Sequence, residues 1–153
     1  MSDRVFVDTN VLVYAYDRSE PDKQQRALEI LDRLVMSDNG VISTQVLAEF
    51  FVAVTRKIAA PLTVTEAGER VKNHLQSWTV VDLTGMVVLE ATRGVRDHQF
   101  NFWDAQIWAA ARLNQIAVIF SEDFSVGAVT EGVRFVNPFA EDFQVEEWLY
   151  KEK

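Results

Sequence analysis

Asp8 stands in "VFVDTNVLVYAY" (residues 5–16) as the single acid among almost unbroken apolar side chains, followed at once by Thr9 and Asn10. A carboxylate beside a core is costly unless something pairs with it, so the rest of the chain must supply a partner. Glu49 is a second misplaced acid. In "TQVLAEFFVAVTR" it is the only charge between Thr44 and Val54, and its helical neighbours Gln45, Val46, Val52 and Ala53 include no cation, which leaves an i,i+4 ion pair out of reach. Asp104 is the third, in "NFWDAQIWAAARL", again with no cation at Phe100, Asn101, Ile107 or Trp108. Its place three residues after Asn101 also fits a capping box, where the helix dipole favours an acid. Asp123 is the fourth, in "VIFSEDFSVG", where an apolar run ends in Ser121-Glu122-Asp123. A turn-forming Asp is the ordinary reading of such a position, and Glu122 is placed to do the same work.

The elements that must position these acids are legible as short apolar runs alternating with helical patterns. The strand candidates are "RVFV" (4–7), "GVIS" (40–43), "TVVDL" (79–83), "AVIFS" (117–121) and "RFV" (134–136). Helical periodicity predicts helices over 22–36, 44–56, 66–78, 85–96 and 102–114. Ser43 or Thr44 can cap the second of these, and Thr65 precedes a first turn containing Glu66 and Glu69. This alternation predicts an α/β fold, a three-layer α/β/α sandwich around a central parallel β-sheet. The length of 153 residues, without repeats or a Pro/Gly/Ser-rich linker, predicts one domain. Its core is expected over about 4–139, with a C-terminal tail at 140–153.

In a parallel α/β domain, strand ends and helix starts converge on one edge of the sheet. Asp8 and Asp123 follow strands, and Glu49 and Asp104 lie in helices that follow strands or loops. Four carboxylates gathered there would repel one another and lose solvation, so they should recruit a hard divalent cation. Mg²⁺ and Mn²⁺ suit all-oxygen ligands and commonly act on phosphate, which points to metal-assisted phosphoester cleavage. The chain has no cysteine, and His74 and His98 lack a zinc-ligand spacing. The net charge of −8 argues against a general polyanion binder. Only residues 54–97 are slightly basic, so Arg56, Lys57, Arg70, Lys72, Arg93 and Arg96 are the candidates for nucleic-acid contact. Trp78, Trp103, Trp108 and Trp148 offer stacking faces, but aromatics in apolar runs are ordinarily core. No run approaches the ~20 apolar residues of a membrane helix, and "MSDRVFVDTN" meets an acid too early for a secretory signal. A cytoplasmic protein is expected.

"FVDTNVLVYAYD", Glu49 in a helix, "NFWDAQIWAAA" and "FSEDFSVG…GVRFVNPF" together resemble the PIN-domain nucleases, especially the VapC-type toxins of toxin–antitoxin pairs. The resemblance runs from Val5 to about Phe139 with the acids in the family's order. It implies an α/β/α sandwich and a Mg²⁺- or Mn²⁺-dependent endoribonuclease, usually a homodimer inhibited by a cognate antitoxin. Carried over, it makes Asp8, Glu49, Asp104 and Asp123 the acidic metal-site residues. Thr9 or Asn10, together with Ser121, become polar groups that hold the carboxylates or a water. Asp123 matches the position that varies most within the family.

Two other readings start from the same Asp8. A haloacid-dehalogenase-type phosphotransferase or a phospho-receiver would form a phosphoaspartate there. The first wants an acid where Asn10 stands, and both want a lysine that 96–150 does not contain. A catalytically silent PIN-like module binding RNA or a partner protein is the alternative from a different class. The tail "EDFQVEEWLYKEK" carries Phe143, Trp148 and Leu149 among acids, a pattern suited to packing on its own domain or to docking a partner.

Overall fold

A computed structural model describes residues 4–124 and 127–149; residues 1–3, 125–126 and 150–153, which include the end of the acidic tail, lie outside the described residues. The strands are β1 (Val5–Val7), β2 (Gly40–Ser43), β3 (Thr79–Val81), β4 (Val118–Phe120), β5 (Val129–Thr130) and β6 (Val133–Val136). The helices are α1 (Thr9–Tyr14), α2 (Pro21–Met36), α3 (Thr44–Arg56), α4 (Val64–Ser77), α5 (Gly85–His98) and α6 (Phe102–Leu113), and a 3₁₀ turn follows at Val145–Trp148.

The sheet order is β3-β2-β1-β4-β6-β5. β1 pairs in parallel with β2 on one side and β4 on the other, while β3 and β6 extend the parallel array outwards. Every residue of β1 and β2 is buried, as expected when helices cover both faces of a sheet. This is the predicted sandwich, with one departure: β5 pairs antiparallel with β6 across the two-residue loop Glu131-Gly132. Both loop residues have positive φ, 49° and 83°, the backbone that a tight primed hairpin turn requires.

The topology decides where a site can form. From β1 the chain builds β2 and β3 to one side, then crosses to β4 on the other. The β1/β4 boundary is therefore the switch point, where connections diverge and leave a crevice beyond the carboxyl ends of the two strands. The register Val7↔Phe120 brings Asp8 and Ser121 out of the sheet side by side, and the Asp8 N–H donates to the Phe120 carbonyl at 3.0 Å.

Helix starts follow the sequence signals with one correction. Ser43 caps α3, its Oγ accepting from the Val46 N–H at 3.2 Å. Asn101 caps α6 through the Asp104 N–H at 2.9 Å. For α4 the cap is Thr63 and not Thr65, because Thr63 and Glu66 complete a reciprocal capping box that a start at Thr65 would forfeit. The tail folds back on its own domain: Phe143, Trp148 and Leu149 pack against the core, and Trp148 sits edge-on to Phe120. Among the described residues no helix is long and apolar enough to cross a membrane.

β2 begins where space runs out. A β-carbon on Gly40 would lie 2.2 Å from Trp78 Cζ3 and 3.2 Å from Leu34 Cβ. Gly40→Ala should therefore lower stability by roughly 1–3 kcal/mol through overpacking, read as a lower midpoint in urea unfolding. An unchanged midpoint would show that the indole has room to move.

Candidate metal centre

Asp8 ends β1 and caps α1 in a single residue, its Oδ1 accepting from the Thr9 N–H at 2.7 Å. Only 5% of its surface is exposed. Ser121, at the end of β4, donates its hydroxyl to Asp8 Oδ2 at 2.8 Å. The Asn10 amide lies one step further along α1 and donates to Asp123 Oδ2 at 2.9 Å, to Ser121 Oγ at 3.2 Å and to Asp8 Oδ2 at 3.4 Å. Asp123 returns a bond, its N–H donating to Ser121 Oγ at 3.1 Å. The Thr9 N–H, the Asn10 amide and the Ser121 hydroxyl thus surround the Asp8 carboxyl with donors.

Asp104 reaches the crevice from the first turn of α6, half-buried, with Asn101 Nδ2 donating to its Oδ2 at 2.6 Å. Glu49 stands apart from this cluster. It is exposed on α3 and lines a shallow cleft with Thr9, Ala48, Val52, Ala53 and Lys57. A relay links it to α6: Gln106 donates to Gln45 Oε1 at 3.1 Å, and Gln45 Nε2 donates to Glu49 Oε1 at 2.8 Å and to the Trp103 carbonyl at 3.2 Å. The structure therefore joins Asp8 and Asp123 through Asn10 and Ser121, sets Asp104 near enough for its charge to act on Asp8, and leaves Glu49 at the rim. Among the described residues no three acid or histidine side chains approach closely enough to close around an ion, and none of the four acids has an ion-pair partner within 4.0 Å.

The electrostatics follow from burial without a cation. Loss of water pushes the Asp8 carboxyl up to about 7; Ser121 and the Thr9 N–H oppose that rise, while the charges of Asp123 and Asp104 add to it. Burial raises Asp104 above its ordinary range as well, with Asp123 contributing. Two buried oxygens next to Asp8, Thr9 Oγ1 and Asn10 Oδ1, have no hydrogen-bond partner. Asp8 is buried, Asp104 half-buried and Asp123 exposed; an all-oxygen donor set of this kind, with no ion-pair partner among the described residues, fits a hard divalent cation.

Glu122 is not interchangeable with Asp123. It turns the other way, accepting from the Tyr14 hydroxyl and pairing with Lys23 at 3.0 Å. Neither histidine faces the site: His74 packs on Phe50 and Tyr16, where burial holds it down at about 4, and His98 contacts Glu131. Arg93 must be withdrawn from the nucleic-acid candidates, because Glu90, Asp97 and Glu131 all pair with it. Trp78 and Trp108 are core, whereas Trp103, beside Asp104, is 63% exposed. Sequence reasoning missed Gln106 and the scaffolding role of Gln45; their signal was an uncharged amide inside an apolar stretch of its helix.

The Asp8 shift has a consequence for the metal-free protein. Its native carboxyl holds a proton more tightly than the unfolded one, whose value is near 3.8. Stability from this group is therefore greatest at low pH and is lost as pH rises through about 7. In chelator, the melting temperature of the wild type should fall between about pH 5 and about pH 8. Asp8→Asn can keep the Thr9 cap through its amide oxygen and has no carboxyl to titrate, so its melting temperature should fall by less over that interval. Parallel falls in both proteins would show that Asp8 is not the titrating group.

Comparison with known proteins supports the architecture. The VapC20 toxin of Mycobacterium tuberculosis, whose structure is described as that of a sarcin–ricin-loop-cleaving toxin, superposes with a TM-score of 0.63 at 21% identity, covering 83% of this chain and 97% of that one. A toxin–antitoxin complex from Klebsiella pneumoniae gives 0.62 at 18% identity, covering 88% and 98%. DNA-bound VapBC from Salmonella typhimurium gives 0.60 at 15%, covering 88% and 97%. Identities this low establish the fold. No curated protein matches the sequence. The sequence model of the PIN domain matches residues 5–130, most of the chain, and β1 to β5 and the four acids fall within it. The chain belongs to the PIN-domain family.

Proposed function

We propose that this chain is a Mg²⁺- or Mn²⁺-dependent endoribonuclease, the toxin of a toxin–antitoxin pair, acting in the cytoplasm as a homodimer held in check by a cognate antitoxin. The observation that carries the reading is the placement of Asp8, Asp123 and Asp104 at the switch point with no lysine or arginine paired to them among the described residues. Family membership supports nuclease chemistry, and the likeness in fold to toxin subunits supports the toxin assignment.

Asp8, Asp104 and Asp123 would hold the cation, with Glu49 joining from the rim. A divalent cation in this position supplies Lewis acidity for hydrolysis of a phosphodiester. The chain's own groups do the rest. Ser121 and the Thr9 N–H orient the Asp8 carboxylate, and the Asn10 amide keeps Asp123 turned toward it. Asn101 fixes Asp104 from below. Lys57 shares the cleft of Glu49 and Thr9 and makes no ion pair among the described residues, so it is placed to meet an RNA phosphate. Exposed Trp103 offers a stacking face on the other side of Glu49's relay.

Two experiments test this. Asp8→Asn should cut cleavage of RNA in Mn²⁺ by at least ~100-fold, since the variant keeps the fold and loses the charge that holds the ion. Cleavage at the wild-type rate would refute the assignment. Lys57→Ala should weaken binding of an uncleaved RNA several-fold and lower the salt dependence by about one phosphate contact. An unchanged salt slope would place the RNA elsewhere.

A further inference from the structure

Glu122 is the neighbour of Asp123, yet its carboxylate is held by groups from two other elements. The Tyr14 hydroxyl donates to its Oε1, and Lys23 of α2 donates to its Oε2 at 3.0 Å. Lys23 also donates to the Tyr14 hydroxyl at 3.3 Å and lies 4.8 Å from the centre of the Tyr14 ring. Phe139 closes the far side, edge to face with Tyr14 at 5.0 Å.

Geometry ties this clasp to the acids. Asn10 and Tyr14 are four residues apart on α1 and so share one helical face. That face meets two successive residues of the turn after β4, Asn10 binding Asp123 and Tyr14 binding Glu122. Asn10 and Tyr14 thus hold two successive side chains of this turn, so the grip on Glu122 constrains the backbone that carries Asp123. Lys23 also cancels a fourth negative charge that would otherwise stand next to Asp8, Asp104 and Asp123. A plain staple between α1, α2 and β4 would need neither the match of charge nor the shared helical face.

We propose that Tyr14, Lys23 and Glu122 are positioning residues, a clasp that sets the turn after β4 so that Asp123 faces Asn10 and the cation site. This rests on reading the crevice as a metal centre. The test is a double-mutant cycle on Mn²⁺ affinity by calorimetry, together with amide exchange of Asp123 by NMR in chelator. Tyr14→Phe and Glu122→Gln should each weaken Mn²⁺ binding ~5–10-fold, the worth of one ordinary hydrogen bond. In an Asp123→Asn background the same changes should weaken it no further, because they act through Asp123. Equal weakening in both backgrounds, or none in either, would overturn the clasp. Lys23→Met, at a partly exposed position, serves if Tyr14→Phe fails to fold. If the wild type binds no Mn²⁺, the metal-centre reading falls, and amide exchange still decides: faster exchange of the Asp123 N–H in Tyr14→Phe supports the clasp, and unchanged exchange refutes it.

Discussion

A carboxylate stripped of water at the end of the central strand is the constraint on which the rest of this structure depends. Burial works against the charged form of Asp8 and pushes its carboxyl up to about 7. A hydroxyl and a backbone N–H stabilise its anion only in part. The remaining requirement is positive charge, and no lysine or arginine pairs with Asp8 among the described residues. Replacement of Asp8 by a neutral amide would relieve the cost and remove the reason for the arrangement around it.

The scaffold meets this constraint with dipoles. Asn10 spans Asp8 and Asp123, Asn101 holds Asp104, and the Gln106–Gln45 relay reaches Glu49. Neutral amides orient carboxylates without cancelling their charge, so the crevice stays negative while its geometry is fixed. Charge compensation is used elsewhere: Glu122 is matched by Lys23, and Glu131 by Arg93. The sheet contributes position, since only at the β1/β4 boundary do two parallel strands present their carboxyl ends to an open crevice.

The acids were legible in the sequence because charge inside an apolar run has few innocent explanations, and the parallel strands because buried runs of Val, Ile and Phe have few alternatives. What escaped reading had physical reasons. α1 is six residues of mostly β-branched and aromatic character, Thr-Asn-Val-Leu-Val-Tyr, and intrinsic preference favours strand there; the Asp8 cap and packing against α3 override it. β5 is only two residues long, and its signal was the turn Glu131-Gly132, not hydrophobicity. Two partners of Arg93, Glu90 and Asp97, stand at helical spacing and could have been read from the sequence, whereas the third, Glu131, lies 38 positions away. The division of labour between Glu122 and Asp123 was invisible for the same reason, since Tyr14 and Lys23 are distant in sequence.

The central claim is that these three aspartates form one cation site. Anomalous scattering from a crystal grown in Mn²⁺ tests it most directly. The account predicts a single dominant peak in the crevice, within coordinating distance of Asp8 and of at least one of Asp104 and Asp123. A well-ordered crystal with no peak there, or with its strongest peak away from Asp8, would contradict it.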